Sequence, residues 1–201
     1  LTAAGALSFA DGVRLVRERG RLMKAAGERA PGAMAAVLGL DAETVRAICA
    51  EAAAQTGQPL VLANDNCEGQ LVISGDRAAL EAALPLATAR GAKRVIPLAV
   101  SVASHSPLME TITAEFRETL ANTPLTPPAV PIVGNVQAAP LNTVDEIRAE
   151  LGDQLTSTVR WTESVQYMLQ HGIDTFVELG PKDVLSGLIK RIDRGATRIT
   201  L

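Results

Sequence analysis

Hydrophobic residues recur along this chain with a helical period in some stretches and as short apolar runs in others, and the alternation between the two lays out its elements. Over residues 9–26, Leu15, Leu22 and Met23 fall on one helical stripe, and Arg19 falls on the same stripe. Arg14, Arg17, Glu18 and Arg21 point elsewhere. Ser8 is placed to cap this helix, and Asp11 suits its first turn. Pro31-Gly32 ends it. The spacing then predicts a strand at 33–40, an amphipathic helix at 41–55 with Asp41 as N-cap, and a strand at 60–64. A turn at 66–69, a strand at 70–74, a helix at 78–89 capped by Gly91 and a strand at 94–100 follow. The order β-α-β-β-α-β is the ferredoxin-like signature. It predicts two right-handed split βαβ units, a four-stranded antiparallel sheet and two helices on one face.

After Ser101 the pattern changes. Ser106-Pro107 opens a helix reaching 121, with proline at its first position, and 123–131 is a proline-rich connection. A short strand at 132–136, helices at 143–155 and 162–170, a strand at 175–179, a helix at 184–192 and a last strand at 198–201 complete the reading. Strands alternating with helices predict parallel α/β architecture. The predicted fold is therefore α/β, with a ferredoxin-like subdomain over 31–101 inserted in an α/β domain over 1–30 and 102–201. That outer domain has too few strands for a doubly wound sheet of normal size, so it is small or lacks a piece.

Composition narrows the function. The 201 residues are 47% hydrophobic but only 2% aromatic, so aliphatic side chains must fill the core. A net charge of -3 speaks against a nucleic-acid or membrane-surface binder. No apolar run reaches the ~18 residues of a membrane span. Cys49 and Cys67 lack metal-ligand spacing and read as reduced thiols of a cytoplasmic protein, with no metal site. The opening Leu1-Thr2-Ala3-Ala4-Gly5 has neither an initiator Met nor a basic leader, and reads as a chain that starts partway.

Few residues carry candidate chemistry. His105 stands between a strand and a helix, where a nearby helix N-terminus keeps the ring neutral and able to accept a proton. The plain alternative is a loop histidine bonded to backbone. His171, at a helix C-terminus, reads as a cap. Arg19 on an apolar stripe needs an anion, either an internal Asp or Glu or the carboxylate of a substrate. Lys93 and Arg94, beside Arg90, form a basic cluster that is either solvated surface or a landing site for an acidic protein or phosphates. Gly180-Pro181-Lys182, between a strand and a helix, reads as a structural turn.

Several segments resemble, in order, those of the malonyl-CoA:acyl carrier protein transacylase family. They are DGVRLVRERGRLM from Asp11, GAMAAVLG from Gly32, NDNCEGQLVISG from Asn64, VSVASHSPLM from Val100, PIVGNV from Pro131, QLTSTVRWTESVQYM from Gln154 and VELGPKDVL from Val177. The resemblance implies an α/β-hydrolase-like large domain with a ferredoxin-like insertion. It also implies transfer of a malonyl group from malonyl-CoA to the phosphopantetheine thiol of acyl carrier protein through an acyl-serine, in fatty-acid biosynthesis. On it, His105 matches the general base, and Gln154 the residue whose backbone carbonyl orients that base. Arg19 matches the arginine that grips the malonyl carboxylate, and Met23 and Asn66 match positions near the substrate pocket. Lys93 and Arg94 suit carrier or CoA docking. The resemblance implies no bound cofactor, a cytoplasmic location and a monomer when full-length.

The sequence departs from that family in two ways. It contains no GxSxG elbow, whose serine would stand just before Leu1 by the order of segments. Ser104, next to the base on an extended segment, points away from it and does not replace that serine. The family's Gly-Pro-Gly turn reads Gly180-Pro181-Lys182. The 201 residues alone are therefore expected to be inactive and unstable. Two other readings remain open at this stage: an extender-loading acyltransferase domain of a polyketide synthase, and a non-catalytic module that binds acyl carrier protein.

Overall fold

The computed structural model describes residues 1–100 and 102–201; Ser101, the predicted end of the subdomain, lies outside the described residues. The first helix, α1 (Phe9–Arg29), starts where the Ser8 hydroxyl accepts the amide of Asp11, and Leu15, Leu22 and Ala26 form its buried stripe. There follow β1 (Gly32–Leu38), α2 (Ala42–Thr56), β2 (Leu60–Cys67), β3 (Gln70–Asp76), α3 (Arg77–Ala89) and β4 (Arg94–Pro97). Asp41 and Asp76 cap α2 and α3 through their carboxylates, satisfying amides that a helix start leaves without partners.

These four strands lie in the order β4-β1-β3-β2, every neighbour antiparallel. That is the split βαβ arrangement. Alternate residues along the strands sort the two faces. Val37, Leu71 and Ile73 pack with Val45 and Ile48 of α2 and Leu80 and Ala83 of α3 in one core, whereas Met34, Ala63 and Val72 cluster separately. Cys49 is buried in the first core, and desolvation pushes its thiol up to about 12, far from a reactive thiolate.

The rest of the chain runs through a 3₁₀ turn (Pro107–Met109), α4 (Glu110–Ala121), β5 (Ile132–Val133), β6 (Pro140–Leu141), α5 (Val144–Asp153), β7 (Val159–Arg160), α6 (Trp161–Gln170), β8 (Thr175–Glu178), α7 (Val184–Ile192) and β9 (Thr197–Thr200). Helix α1 packs on α4 through a second core of Leu15, Leu22, Ile112, Phe116 and Leu120. β8 and β9 are parallel neighbours. His171 caps α6 by donating from Nδ1 to the Tyr167 carbonyl at 2.7 Å.

Several boundaries differ from the sequence reading. The predicted four-stranded sheet gains β7, which pairs in parallel with β2 at Asn64 and Asp65. β2 runs through polar residues to Cys67, beyond the predicted end at 64, paired with β3 as far as Cys67 and Gln70, which narrows the turn to Glu68-Gly69. β4 stops at Pro97, not at 100; the Leu98 amide still reaches the Met34 carbonyl at 2.9 Å, but the paired ladder goes no further. The strand expected at 132–136 is only Ile132–Val133, and its partner β6 was not foreseen. The amides of Asn135 and Val136 go to a side chain, Glu150, instead of a strand. α3 is capped by Arg90, with Gly91 following at φ 88.

Two substitutions test this packing. A Cβ on Gly75 would stand 2.2 Å from the Pro59 carbonyl oxygen and 2.7 Å from the Leu60 Cα, which are backbone atoms with no freedom to yield. Gly75→Ala is expected to cost about 1–3 kcal/mol by overpacking, read from urea unfolding. Lys182 adopts φ 75, in the left-handed region. Lys182→Gly is expected to raise stability by roughly 1 kcal/mol in the same measurement.

Candidate active site

The segment carrying His105 is a tight turn between two packed parts. Ala103 is fully buried, and an added Cβ on Gly32 would lie 2.4 Å from its Cβ. Only glycine at the start of β1 lets the turn sit there. Ser106, also fully buried, donates its hydroxyl to the Ala103 carbonyl at 2.7 Å. Between them His105 takes φ 59, an uncommon conformation for a residue other than glycine and one that clusters at functional sites.

This turn directs the ring at the end of α5. His105 Nδ1 lies 2.7 Å from the backbone oxygen of Gln154, the C-cap of that helix. A carbonyl can only accept, so Nδ1 carries the hydrogen and the neutral ring keeps a free lone pair on Nε2. The acceptor is one of the carbonyls that a helix C-terminus leaves unpaired, at the negative end of the helix dipole. Burial is the main influence on the ring and pulls its pKa below the usual imidazole value; the Gln154 bond opposes this, and the Arg19 guanidinium adds to it. His105 is therefore neutral at pH 7.

Arg19 sits half-buried in the middle of α1. Burial pulls its pKa below the ordinary guanidinium value, yet arginine stays charged in proteins. Among the described residues no carboxylate stands within ion-pair distance of it, whereas Arg14 and Arg21 on the same helix pair with Asp11 and Glu18. Arg19 lines a cavity of about 470 Å³ together with Leu1, Phe9, Val16, Phe116 and Gln154. A larger cleft of about 670 Å³ is bordered by the ion-paired side chains Asp11, Arg14, Glu18 and Arg21 and holds none of the candidate residues. Gln154 lines the Arg19 cavity and its carbonyl holds His105, and the Arg19 charge acts on the His105 ring, though His105 itself is not among the residues that line the cavity.

The other candidates lie apart in varying degree. Met23, one turn beyond Arg19, is partly buried against the α1–α4 core. Asn66 is the extra residue of a bulge in β2, between Asp65, paired with Leu71, and Cys67, paired with Gln70. No hydrogen bond joins it to His105 or Arg19 among the described residues. Lys93 and Arg94 border a groove of about 630 Å³ that shares no lining residue with the Arg19 cavity. Arg191 of α7, which sequence reasoning missed, lines the same groove and donates to the Gln70 side chain and to the Glu68 carbonyl. Arg90 is ion-paired with Glu51 at 2.6 Å. Among the described residues no three His, Cys, Asp or Glu side chains gather as metal ligands, and no helix is long and apolar enough to cross a membrane.

Sequence reasoning also missed the surroundings of Gln154. Its Nε2 donates to Asn135 Oδ1 at 3.3 Å, and Asn135 is held in turn by Glu150. The signal that singled out Arg19, a charge on the apolar stripe of a helix, is present at Glu150, which falls between Ile147 and Leu151.

With this geometry in hand, comparisons place the chain among known proteins. The acyl transferase domain family matches residues 1–197. A malonyl CoA-acyl carrier protein transacylase of Bacillus subtilis (strain 168) is 43% identical over 194 residues. The match takes in 96% of this chain but only 61% of that protein, so the chain spans less than two thirds of its relative's length. The crystal structure of a malonyl-CoA:acyl carrier protein transacylase from Xanthomonas oryzae pv. oryzae superposes with a TM-score of 0.95 at 46% identity, covering 100% of this chain and 63% of the other. A malonyl-transacylase solved in complex with its type II polyketide acyl-carrier protein has a TM-score of 0.94 at 38% identity, covering 100% and 64%.

The depressed pKa of His105 has a consequence for stability. Below pH 6.5, the ordinary value, the unfolded chain binds a proton that the folded chain still refuses. The stability due to the buried neutral ring is present above 6.5 and is lost as pH falls through the window below it. An NMR titration is expected to place the His105 midpoint below 6.5. In urea unfolding between pH 5 and 7, His105→Gln is expected to remove part of the acid-side decline.

Proposed function

The chain belongs to the acyl transferase domain family, and from that premise we propose that it supplies the base and the carboxylate clamp of a malonyl transfer from malonyl-CoA to the phosphopantetheine thiol of acyl carrier protein. Serine is a poor nucleophile until a base takes its proton. His105 is that base. Its Nδ1 hydrogen is committed to the Gln154 carbonyl, so Nε2 takes the proton of the serine hydroxyl. The imidazolium then protonates the departing CoA thiolate. In the second half-reaction the same nitrogen deprotonates the carrier thiol, which attacks the acyl-serine. Gln154 does the work an aspartate does in other triads, holding the tautomer and favouring the charged ring through a carbonyl at a negative helix end.

Arg19 is the clamp. A half-buried guanidinium without an internal carboxylate offers a planar fork that fits a malonyl carboxylate in two parallel bonds. An acetyl group would leave those donors unpaired, which discriminates better than a hydrophobic pocket does. Met23 borders the acyl group from the next turn of α1, and Asn66 borders the substrate from the β2 bulge. Lys93 and Arg94 take the acidic carrier or the CoA phosphates. In this reading residues 31–101 are an inserted subdomain, residues 1–30 and 102–201 belong to the large domain, and the full-length protein is a cytoplasmic monomer without a bound cofactor. The sequence contains no GxSxG, so the serine comes from outside these 201 residues, and they are not expected to transfer acyl groups by themselves.

The observation that carries the reading is the convergence of an unpaired Arg19 with a His105 whose Nδ1–H is already bound to Gln154. The test uses the chain joined to a serine-bearing N-terminal segment. Arg19→Ala is expected to lower kcat/KM for malonyl-CoA by about 2–4 kcal/mol in transition-state terms, roughly 30- to 1,000-fold, as for a truncated buried charge pair. Acetyl transfer should fall less than about tenfold. Equal losses on the two donors would overturn the clamp.

A further inference from the structure

Glu150 has no part in the chemistry above, yet it is only 7% exposed. Burying a carboxylate is costly unless its oxygens are hydrogen-bonded. Those of Glu150 are spent on one short loop. Oε1 accepts the Asn135 amide at 2.7 Å and the Val136 amide at 3.1 Å, and Oε2 accepts the Val136 amide at 3.2 Å. A Cβ on Gly134 would stand 2.6 Å from Oε2, so a glycine there lets the carboxylate in.

The carbonyls of the same loop are taken from the other side. The Arg160 amide donates to Asn135 O at 2.8 Å, and its Nη1 donates to Val136 O at 3.3 Å and Gln137 O at 3.2 Å. Ser164 donates to Gly134 O at 3.2 Å. Residues 134–137 are thereby held between an acceptor on α5 and donors on β7 and α6. What this fixed loop presents to the site is Asn135 Oδ1, which accepts from the Gln154 side chain at 3.3 Å. Glu150 and Gln154 are one turn apart on α5, and the Gln154 amide donates to the Glu150 carbonyl at 2.9 Å.

We propose that Glu150 is a positioning residue for His105, acting by docking the last turn of α5 on the 134–137 loop so that the Gln154 carbonyl stays aimed at Nδ1. Helix ends fray, and a carbonyl that must hold a ring in one tautomer needs an anchored end. Glu150 supplies the first tie and Asn135 the second. This inference rests on the reading of His105 as the base.

The test reads the tautomer directly on the chain joined to a serine-bearing N-terminal segment. His105 and His171 are the only histidines of these 201 residues, and in both Nδ1 donates to a backbone carbonyl, so His171 is an internal control. Imidazole ¹⁵N spectra above pH 7 are expected to show His105 with its hydrogen on Nδ1. In Glu150→Met, which keeps the bulk and loses the acceptor, His105 should shift toward the Nε2–H form. Its Nδ1–H should exchange about tenfold faster or more, with His171 unchanged. Glu150→Gln should restore the wild-type signals, because one oxygen already serves both amides. Wild-type His105 signals in a folded Glu150→Met would overturn the proposal. If Glu150→Met does not fold, Asn135→Ala decides: a shifted His105 supports the relay, and an unchanged one overturns it. A wild-type protein with the hydrogen on Nε2 would instead defeat the His105–Gln154 reading itself.

Discussion

One hydrogen bond organises the candidate site: Nδ1 of His105 to the main-chain oxygen of Gln154, across 49 residues of sequence. It uses two groups that would otherwise be liabilities. A helix end has carbonyls with no partner, and a buried imidazole has an N–H with none. Joining them satisfies both and leaves the opposite ring nitrogen free. The left-handed backbone at His105, the buried hydroxyl of Ser106 and the bare Cα of Gly32 all serve to bring the ring to that carbonyl. An aspartate in the same place would carry a full charge into a partly buried site. A carbonyl supplies orientation and a partial charge at lower desolvation cost.

The second constraint is electrostatic. Arg19 and His105 are both potential cations with overlapping fields, and both are desolvated. The site resolves the conflict by keeping the histidine neutral and the arginine charged. That leaves a positive charge at a pocket bordered by Phe9, Val16 and Phe116.

The antiparallel sheet and the site are linked through β7. Its two residues extend β2 in parallel, Thr158 donates to the Leu62 carbonyl, and Thr162 donates to Asp65. The Arg160 side chain on the same strand reaches the 134–137 loop and is itself ion-paired with Glu163. A shift between the sheet and the rest of the protein would therefore be felt at the loop behind Gln154.

Much of the fold was legible in the order of residues. Periodicity marked α1, the helices and strands of the β-α-β-β-α-β unit and the Asp41 cap, because amphipathic period and cap chemistry are local properties. Arg19 and His105 could be singled out because a charge on an apolar stripe and a rare histidine at a junction are visible without coordinates. The pairing of Asn64 and Asp65 with β7, the shortening of the strand after Ile132 and the burial of Glu150 could not be read that way. Each depends on which distant group takes a backbone amide or carbonyl, and that choice is made by packing. Sequence alone determined most of the helices and longer strands and singled out Arg19 and His105. Only the tertiary structure decided that His105 meets a helix-end carbonyl and that no carboxylate among the described residues pairs with Arg19, because partners far apart in the chain become neighbours only when the cores close.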